Sequence, residues 1–378
     1  MRVLVVASPL VGHVLPLVPI ALALRAAGHD VVFATGGAGA DAVGRAGVPV
    51  QDVAPGLDMR RLILGPLVRH PVRILRMVAG DEGTDGVGLL FAAVSARMAQ
   101  GTVALAEEWR PDLFLHEGLA AAGALAAARC GVPSVLVDAL IFDARDLFRA
   151  VAGHLRGTAR AYGIDALPEP VDALVAIPPS LAGRRVGRAM RYEPTGASGE
   201  VPERFVRPGA RPTLLVSRST VEDPRPDRLM TRVVEAAVEA DVDVVLVRPD
   251  RAVSRRPLPP NVTTTDWLPF AAVLPHVAGI VHHGGAGTVM TALAAGVPQV
   301  VVPGAGDRTR HARLVAARGA GLAVPAQAIT RATLERLASD QALAAAAREV
   351  AAEIAAMPAP AELVEALARL ARAPHPAA

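Results

Sequence analysis

The sequence predicts an α/β protein made of two consecutive parallel-sheet domains. The chain is 378 residues long, which suits two such domains better than one. Apolar runs of strand length alternate with helix-length segments through the first 137 residues, and a second series of the same kind starts at residue 213. An unbroken apolar run suits a strand buried on both faces, and strand–helix alternation implies parallel strands joined by right-handed crossovers.

In the first half, VLVVAS at 3–8 is the opening strand, SPLVGH the turn after it, and LPLVPIALALRAAG the helix that ends at Gly28. VVFAT at 31–35 and VPVQDV at 48–53 are the second and third strands. DLFLH at 112–116 and PSVLV at 133–137 follow, with an Ala-rich helix between them. Residues 57–110 are expected to hold helices that line an acceptor cleft. In the second half the strands are TLLVS at 213–217, DVVLV at 243–247, GIVHH at 279–283 and QVVVP at 299–303. The Gly-, Pro- and charge-rich segment 196–212 reads as a linker. The expected domains are 1–200 and 212–360, with a last helix in 361–378 crossing back onto the first.

Composition narrows the function. Hydrophobic residues make up 52% and charged residues 20%, enough apolar material for two cores. The net charge is only +3, and every Lys-or-Arg position is Arg. Basic doublets such as Arg60-Arg61, Arg184-Arg185 and Arg255-Arg256 are isolated, and aromatics are 3% of the chain. No nucleic-acid partner is expected from that pattern. The one cysteine, Cys130, excludes an internal disulfide and reads as a small core residue. No formal charge occurs from Val3 to Leu24, but Gly12, His13, Pro16 and Pro19 break the run, so neither a membrane span nor a signal is expected there.

The segment HHGGAGTVMTALAAGVPQVVVPGAGD, from His282 to Asp307, carries the chemistry of the second half. A strand ends at paired histidines and a small-residue turn opens a helix. Gly284, Gly285 and Gly287, with Ala286 between them, let a backbone approach an anion, and the helix N-terminus turns its N–H groups and positive dipole end toward it. Thr288 adds a hydroxyl and His283 an imidazole N–H. A glycine turn alone is an ordinary strand-to-helix connection; the paired histidines and the following GVPQ set this one apart as a diphosphate cradle. His13, in the loop after the first strand, sits where ligand crevices form on parallel sheets. Its ordinary pKa, ~6.5, suits removal of a hydroxyl proton at neutral pH. Glu117 follows DLFLH and can reach the same sheet edge, whereas alternation turns His116 the other way.

These residues resemble the nucleotide-binding signature of natural-product glycosyltransferases, the bacterial antibiotic type that decorates enediynes, macrolides and other polyketides. The resemblance runs through SPLVGHVLPL, RPDLFLHEG, DWLPFAAVLPH, HHGGAGTVMTALAAGVPQ and AREVAAEIAAMPAPAELV, so it covers both halves. It implies the GT-B fold, two facing Rossmann-like domains with a cleft between them, and an inverting transfer from a TDP-sugar or UDP-sugar to a hydroxyl of a hydrophobic aglycone. No metal and no covalent intermediate are expected.

By the same resemblance, Gly-His-x-x-Pro makes His13 the catalytic base, and Glu117 the carboxylate that orients it. Trp267 and Leu268 stand at the position that contacts the nucleotide base. Ser217, Ser219 and Thr220 end the first strand of the second half, where hydroxyls can bind phosphate or sugar. The family more commonly has glycine near Ser219. Asp307 matches the sugar-contacting acid, but Arg308 stands where the family has Gln, which puts the donor sugar in question. The resemblance also implies a cytoplasmic enzyme, monomer or homodimer, acting in antibiotic biosynthesis. A non-catalytic partner of another transferase and a nucleotide-sugar epimerase are the competing readings. A dehydrogenase is disfavoured, since S-P-L-V-G-H-V stands where G-x-G-x-x-G would follow the first strand.

Overall fold

A computed structural model describes residues 1–78, 83–195, 199–207, 209–218 and 228–373. The chain forms two compact units. One comprises residues 1–177, 184–196 and 357–378; the other comprises 178–183 and 197–356.

The first unit opens with β1 (Arg2–Val6), α1 (Val11–Val14), a 3-10 turn, α2 (Val18–Ala26), β2 (Asp30–Thr35), α3 (Gly37–Arg45) and β3 (Val50–Asp52). The helices α4 (Met59–Arg69), α5 (Pro71–Val78) and α6 (Asp85–Trp109) come next. Then follow β4 (Leu113–Glu117), α7 (Ala122–Cys130), β5 (Ser134–Asp138), α8 (Ala144–Ala161) and β6 (Asp172–Val175). The short α9 (Pro179–Ala182) belongs to the second unit, and β7 (Arg188–Ala189) returns to the first. All strands pair in parallel, in the order β3-β2-β1-β4-β5-β6-β7.

Val3, Leu4, Val5 and Val6 of β1 are fully buried, as their unbroken apolar run requires, and each such side chain contributes about 1.5–3 kcal/mol of burial. The helix α6 is long and apolar enough to cross a bilayer by composition, but it buries one face among Phe114, Phe148 and Val151 of this core. Cys130 departs from its expected place. It ends α7 half-buried, packed against the rim of the core rather than inside it.

The second unit continues with α10 (Glu203–Val206), β8 (Thr213–Ser217), α11 (Leu229–Ala237), β9 (Asp243–Val247), α12 (Arg251–Ser254), β10 (Val262–Thr265) and α13 (Phe270–Val273). It is completed by β11 (Gly279–His282), α14 (Ala286–Ala294), β12 (Gln299–Val301), α15 (Arg308–Arg318), β13 (Gly321–Ala323), α16 (Arg331–Ser339) and α17 (Gln341–Ala356). Its sheet is also parallel, in the order β10-β9-β8-β11-β12-β13. The segment expected as linker is not all linker: α10 carries Phe205 into this unit's core. The last helix, α18 (Pro360–Arg372), packs against α2 within the first unit.

In each sheet the first strand sits between the strand that follows it directly in the chain and the strand that starts the second half of the winding. The reversal falls between β1 and β4 in the first unit and between β8 and β11 in the second. Loops leaving the C-terminal ends of two such strands diverge and leave a crevice, which is where α/β sheets bind ligands. His13 and Glu117 lie at the first reversal, Ser217 and His283 at the second.

Candidate active site

At the first reversal, α1 begins three residues after Ser8 and places His13 on its last turn. Glu117 ends β4 with its side chain 2% exposed, so it is not the solvated carboxylate a strand end often carries. Its Oε1 accepts from both the Ser8 amide at 3.1 Å and the Ser8 hydroxyl at 2.6 Å, and its Oε2 accepts from the Leu119 amide at 2.8 Å. His13 Nδ1 stands 3.4 Å from Oε1. Burial by itself pushes the Glu117 carboxyl up, but the charge and hydrogen bond of His13, with the bonds from Ser8 and Leu119, outweigh it and hold the group below the usual carboxylate range.

An ionised Glu117 favours the proton on His13 Nδ1, which leaves Nε2 with a lone pair. The imidazole also stacks on Phe91 of α6, ring centroids 5.5 Å apart at 27°. The ring is thereby fixed on one face by an aromatic and at one edge by a carboxylate. His116 is fully buried, as alternation required, and its Nδ1 donates to the Glu117 carbonyl at 3.1 Å.

At the second reversal a buried polar network builds the turn before α14. The Gly284 amide donates to His282 Nδ1 at 3.1 Å, so the His282 proton is on Nε2, which donates to Gln299 Oε1 at 2.8 Å. His311 of α15 donates from Nδ1 to the Gly284 carbonyl at 2.6 Å. Gly284 itself has φ +84°, a conformation that disfavours any side chain. Both backbone groups of Gly284 are thus taken by buried histidines, and the turn has little freedom left.

The His283 ring lies across this turn. A Cβ on Gly285 would stand 2.6 Å from His283 Nε2, so a side chain there would force the imidazole to move. A Cβ on Gly287 would meet no protein atom. The N-cap of α14 is Gly285, which has no side chain to cap the first turn. The buried His283 Nδ1 makes no well-formed hydrogen bond among the described residues, although the Ser217 backbone lies near enough to act on the ring. Burial pushes its pKa down to about 3, helped by His282, Arg308 and His311 and opposed by the Ser217 backbone. His282 is held at about 4 by burial, which its bond to Gln299 opposes. Both rings are therefore neutral near pH 7, and an uncharged imidazole has one N–H to offer an anion.

Of the other sequence-derived residues, Ser217 ends β8 buried beside His282 in register. Ser219 and Thr220 lie outside the described residues. Thr288 sits in the first turn of α14, with Ala286 and Gly287 before it. Trp267 is 56% exposed after β10, so it is not a core tryptophan, while the neighbouring Leu268 is buried in the core. Asp307 precedes α15, 3.4 Å from His311 Nε2. Arg308 opens α15 with its stem against the turn: a Cβ on Gly284 would stand 3.3 Å from Arg308 Cβ. Sequence reasoning passed over the supporting residues Ser8, Phe91, Gln299 and His311. Ser8 and Gln299 carried a signal, as the first residue of SPLVGH and the last of GVPQ.

A family model described as erythromycin biosynthesis protein CIII-like, N-terminal domain, matches residues 22–189, and its C-terminal-domain counterpart matches residues 231–370. The elloramycin glycosyltransferase ElmGT of Streptomyces olivaceus is 35% identical over 380 residues, with 96% of each chain covered. The chain belongs to this glycosyltransferase family.

Among other relatives of this CIII-like glycosyltransferase, the L-demethylnoviosyl transferase of Streptomyces niveus is 32% identical over the whole of both chains. The crystal structure of the glycosyltransferase SnogD from Streptomyces nogalater superposes with a TM-score of 0.84 at 30% identity, covering 98% of this chain and 99% of that one. The Streptomyces sp. SF2575 glycosyltransferase SsfS6, complexed with thymidine diphosphate, gives 0.81 at 30% identity with 98% and 99% covered. The rhamnosyltransferase SpnG, complexed with spinosyn aglycone, gives 0.81 at 28% identity with 97% and 100% covered. The two parallel-sheet units of the CIII-like glycosyltransferase are accordingly of the GT-B fold class.

Proposed function

We propose that this enzyme transfers a sugar from a thymidine diphosphate sugar to a hydroxyl of a hydrophobic polyketide-type aglycone in antibiotic biosynthesis, with inversion at the anomeric carbon. The observation that carries the reading is the His13–Glu117 pair: a buried ionised carboxylate aimed at one imidazole nitrogen, which leaves the other to take a proton. Relatives bound to thymidine diphosphate and to an aglycone support the two substrate classes. UDP is the competing donor nucleotide.

The second unit is the donor-binding domain in this reading. The turn Gly284–Gly287, the first N–H groups of α14, Thr288 and neutral His283 hold the diphosphate, with Trp267 and Leu268 at the nucleobase, Ser217 at the phosphates and Asp307 with Arg308 toward the sugar. As the acceptor oxygen attacks, its O–H bond breaks and the proton passes to His13 Nε2. The new C–O bond forms as the bond to the diphosphate breaks, and the leaving group gains negative charge. The donors of the turn act most where that charge grows, in the transition state. Imidazolium on His13 is stabilised by Glu117. In this reading the enzyme works in the cytoplasm, where nucleotide sugars are supplied.

The test is a TDP-release assay with purified enzyme, a TDP-deoxysugar, and two aglycones of different shape: the aromatic tetracycle aklavinone and the macrolactone 10-deoxymethynolide. Glycoside formed in step with TDP supports the reading. TDP released at the same rate with and without either aglycone, and no glycoside, argues against the acceptor class. No binding or turnover of any TDP-sugar, with binding of a UDP-sugar, argues against the donor.

A further inference from the structure

The Arg184-Arg185 doublet has no place in the site described above, yet Arg185 is turned inward with its side chain 5% exposed. It meets Asp138, the last residue of β5, whose side chain is 4% exposed: Arg185 Nη1 donates to Asp138 Oδ1 at 2.6 Å. The same guanidinium collects the loop that leaves β5. Nη1 donates to the Leu140 carbonyl at 2.9 Å and the Phe142 carbonyl at 3.2 Å, and Nη2 donates to the Ile141 carbonyl. Three successive carbonyls thus converge on one cation. A strand turns successive carbonyls to alternate sides and a helix turns them along its axis, so neither regular structure would do this. Carbonyls at this depth also need a donor, and only a planar fork of several N–H groups reaches all three and a carboxylate together.

The loop held in this way leaves β5 beside the end of β4, where Glu117 is in register with Val137. Its side chains Leu140 and Phe142 are partly buried against the cluster that contains Leu119 and Phe91, and Phe91 is the ring stacked on His13. Its end is fixed by Asp143, which accepts from the Arg145 amide at 2.9 Å and caps α8. The first residue of α8, Ala144, crowds the residue after Glu117: a Cβ on Gly118 would stand 2.5 Å from the Ala144 carbonyl oxygen. From α8, Phe148 reaches back to His116, ring centroids 5.5 Å apart. The helix that the loop leads into, α8, therefore packs on both sides of the Glu117 turn.

We propose that Arg185, anchored by Asp138, is a positioning residue that sets residues 139–143 as an apolar wall of the acceptor site, presenting Leu140 and Phe142 to the aglycone beside His13. The inference rests on the transferase reading above and deepens it by placing an acceptor-selecting element. Burial pushes the Asp138 carboxyl up to about 7 against the pull of Arg185, which marks a clamp shielded from water. The ligand of the wall is a flat or macrocyclic apolar body, since Leu140 and Phe142 offer it no side-chain hydrogen-bonding group.

The test compares wild type with Arg185→Lys, whose single ammonium cannot reach three carbonyls and a carboxylate, and with Phe142→Ala, which keeps the clamp and trims the wall. Three quantities are read: binding of aklavinone and 10-deoxymethynolide, TDP affinity by calorimetry, and amide hydrogen exchange. The proposal expects Arg185→Lys to weaken aglycone binding by about tenfold or more, as for other misplaced positioning groups. TDP affinity stays unchanged, and exchange speeds up in 139–143 and 117–121. Phe142→Ala weakens aglycone binding without the change in exchange. Faster exchange with unaltered aglycone binding in both variants would overturn it, leaving Arg185 a purely structural residue; unaltered exchange in a folded Arg185→Lys would overturn the clamp itself. If Arg185→Lys does not fold, Phe142→Ala alone decides the wall. Wild type that binds neither aglycone counts against the acceptor class, and the exchange arm then judges the clamp separately.

Discussion

His13 Nδ1 lies 3.4 Å from Oε1 of Glu117, and that same oxygen takes two hydrogen bonds from Ser8. The carboxylate is thus held by its neighbours independently of the imidazole, and the imidazole is held by the carboxylate. Glu117→Gln keeps the shape and removes the charge, so we expect turnover to fall by about tenfold to a hundredfold and the basic histidine to titrate lower in the kcat–pH profile. Ser8→Ala should shift that profile in the same sense by less. A pH profile of Glu117→Gln that overlays the wild type would make the carboxylate a structural group only.

The glycines of the second turn make separable predictions. Gly285→Ala drives a methyl into the His283 ring, so TDP affinity should fall by about tenfold or more with little help from any other change. Gly287→Ala meets no protein atom and removes a helix glycine, so the free enzyme should be unharmed or more stable by about 0.5–1 kcal/mol. If the diphosphate lies over this turn, Gly287→Ala nevertheless weakens TDP binding. His283→Ala and Thr288→Ala should each cost about 1–3 kcal/mol of TDP affinity, the range for a bond to a charged group. Calorimetry on the four variants checks all of this, and unchanged affinity throughout would move the cradle elsewhere.

Arg308 stands close enough to the turn that its charge helps to depress His283. Arg308→Gln should therefore let His283 take up a proton more readily, readable by NMR titration of the ring. The same charge bears on the donor. An ammonium group ~5 Å from the guanidinium meets repulsion of about 3 kcal/mol at an effective dielectric of ~20, which Asp307 reduces. We expect a higher kcat/KM for a neutral TDP-deoxysugar than for its amino analogue, and a smaller ratio in Arg308→Gln. A wild-type preference for the amino sugar would remove Arg308 from the sugar site.

Two buried histidines and a partly buried one, His283, make stability depend on pH. In the unfolded chain each titrates near ~6.5. In the fold, burial holds His116 and His282 at about 4 and His283 at about 3. Below ~6.5 the unfolded chain binds protons that the folded chain refuses. The stability they contribute is full above that pH and is lost as pH falls toward 4, by up to about 1.4 kcal/mol per pH unit for each ring. Asp138, raised to about 7, acts in the opposite sense, but it is one group against three. Tm by calorimetry should drop as pH falls from ~6.5 to ~5, and His116→Asn should make the drop shallower. A Tm independent of pH in that window would contradict the neutral, buried assignment.

Apolar strands were the legible part of the fold. TLLVS and DVVLV coincide with β8 and β9, because a strand buried on both faces leaves a run that little else explains. The strand β10 was missed because it is VTTT with Thr263 and Thr264 exposed at the sheet edge, and β13 because GLA is too short to show a pattern. Among site residues, His13, Glu117 and the glycine turn could be named because each stands beside a strand end and within a motif. Ser8 with Glu117 and Arg185 with Asp138 could not. Those partners are separated by 109 and 47 positions, and only the sheet order brings them together.

The measurement that bears most directly on the account is glycoside formation by wild type and His13→Ala, with a TDP-deoxysugar and whichever of aklavinone and 10-deoxymethynolide wild type accepts, alongside TDP affinity by calorimetry. A general base removed from a proton-transfer step costs about 10²–10⁴ in rate. The account predicts a loss of about a hundredfold or more in glycoside formation with TDP affinity within about twofold of wild type. Folded His13→Ala that forms glycoside at the wild-type rate would contradict it, and His13 would then be a structural residue stacked on Phe91.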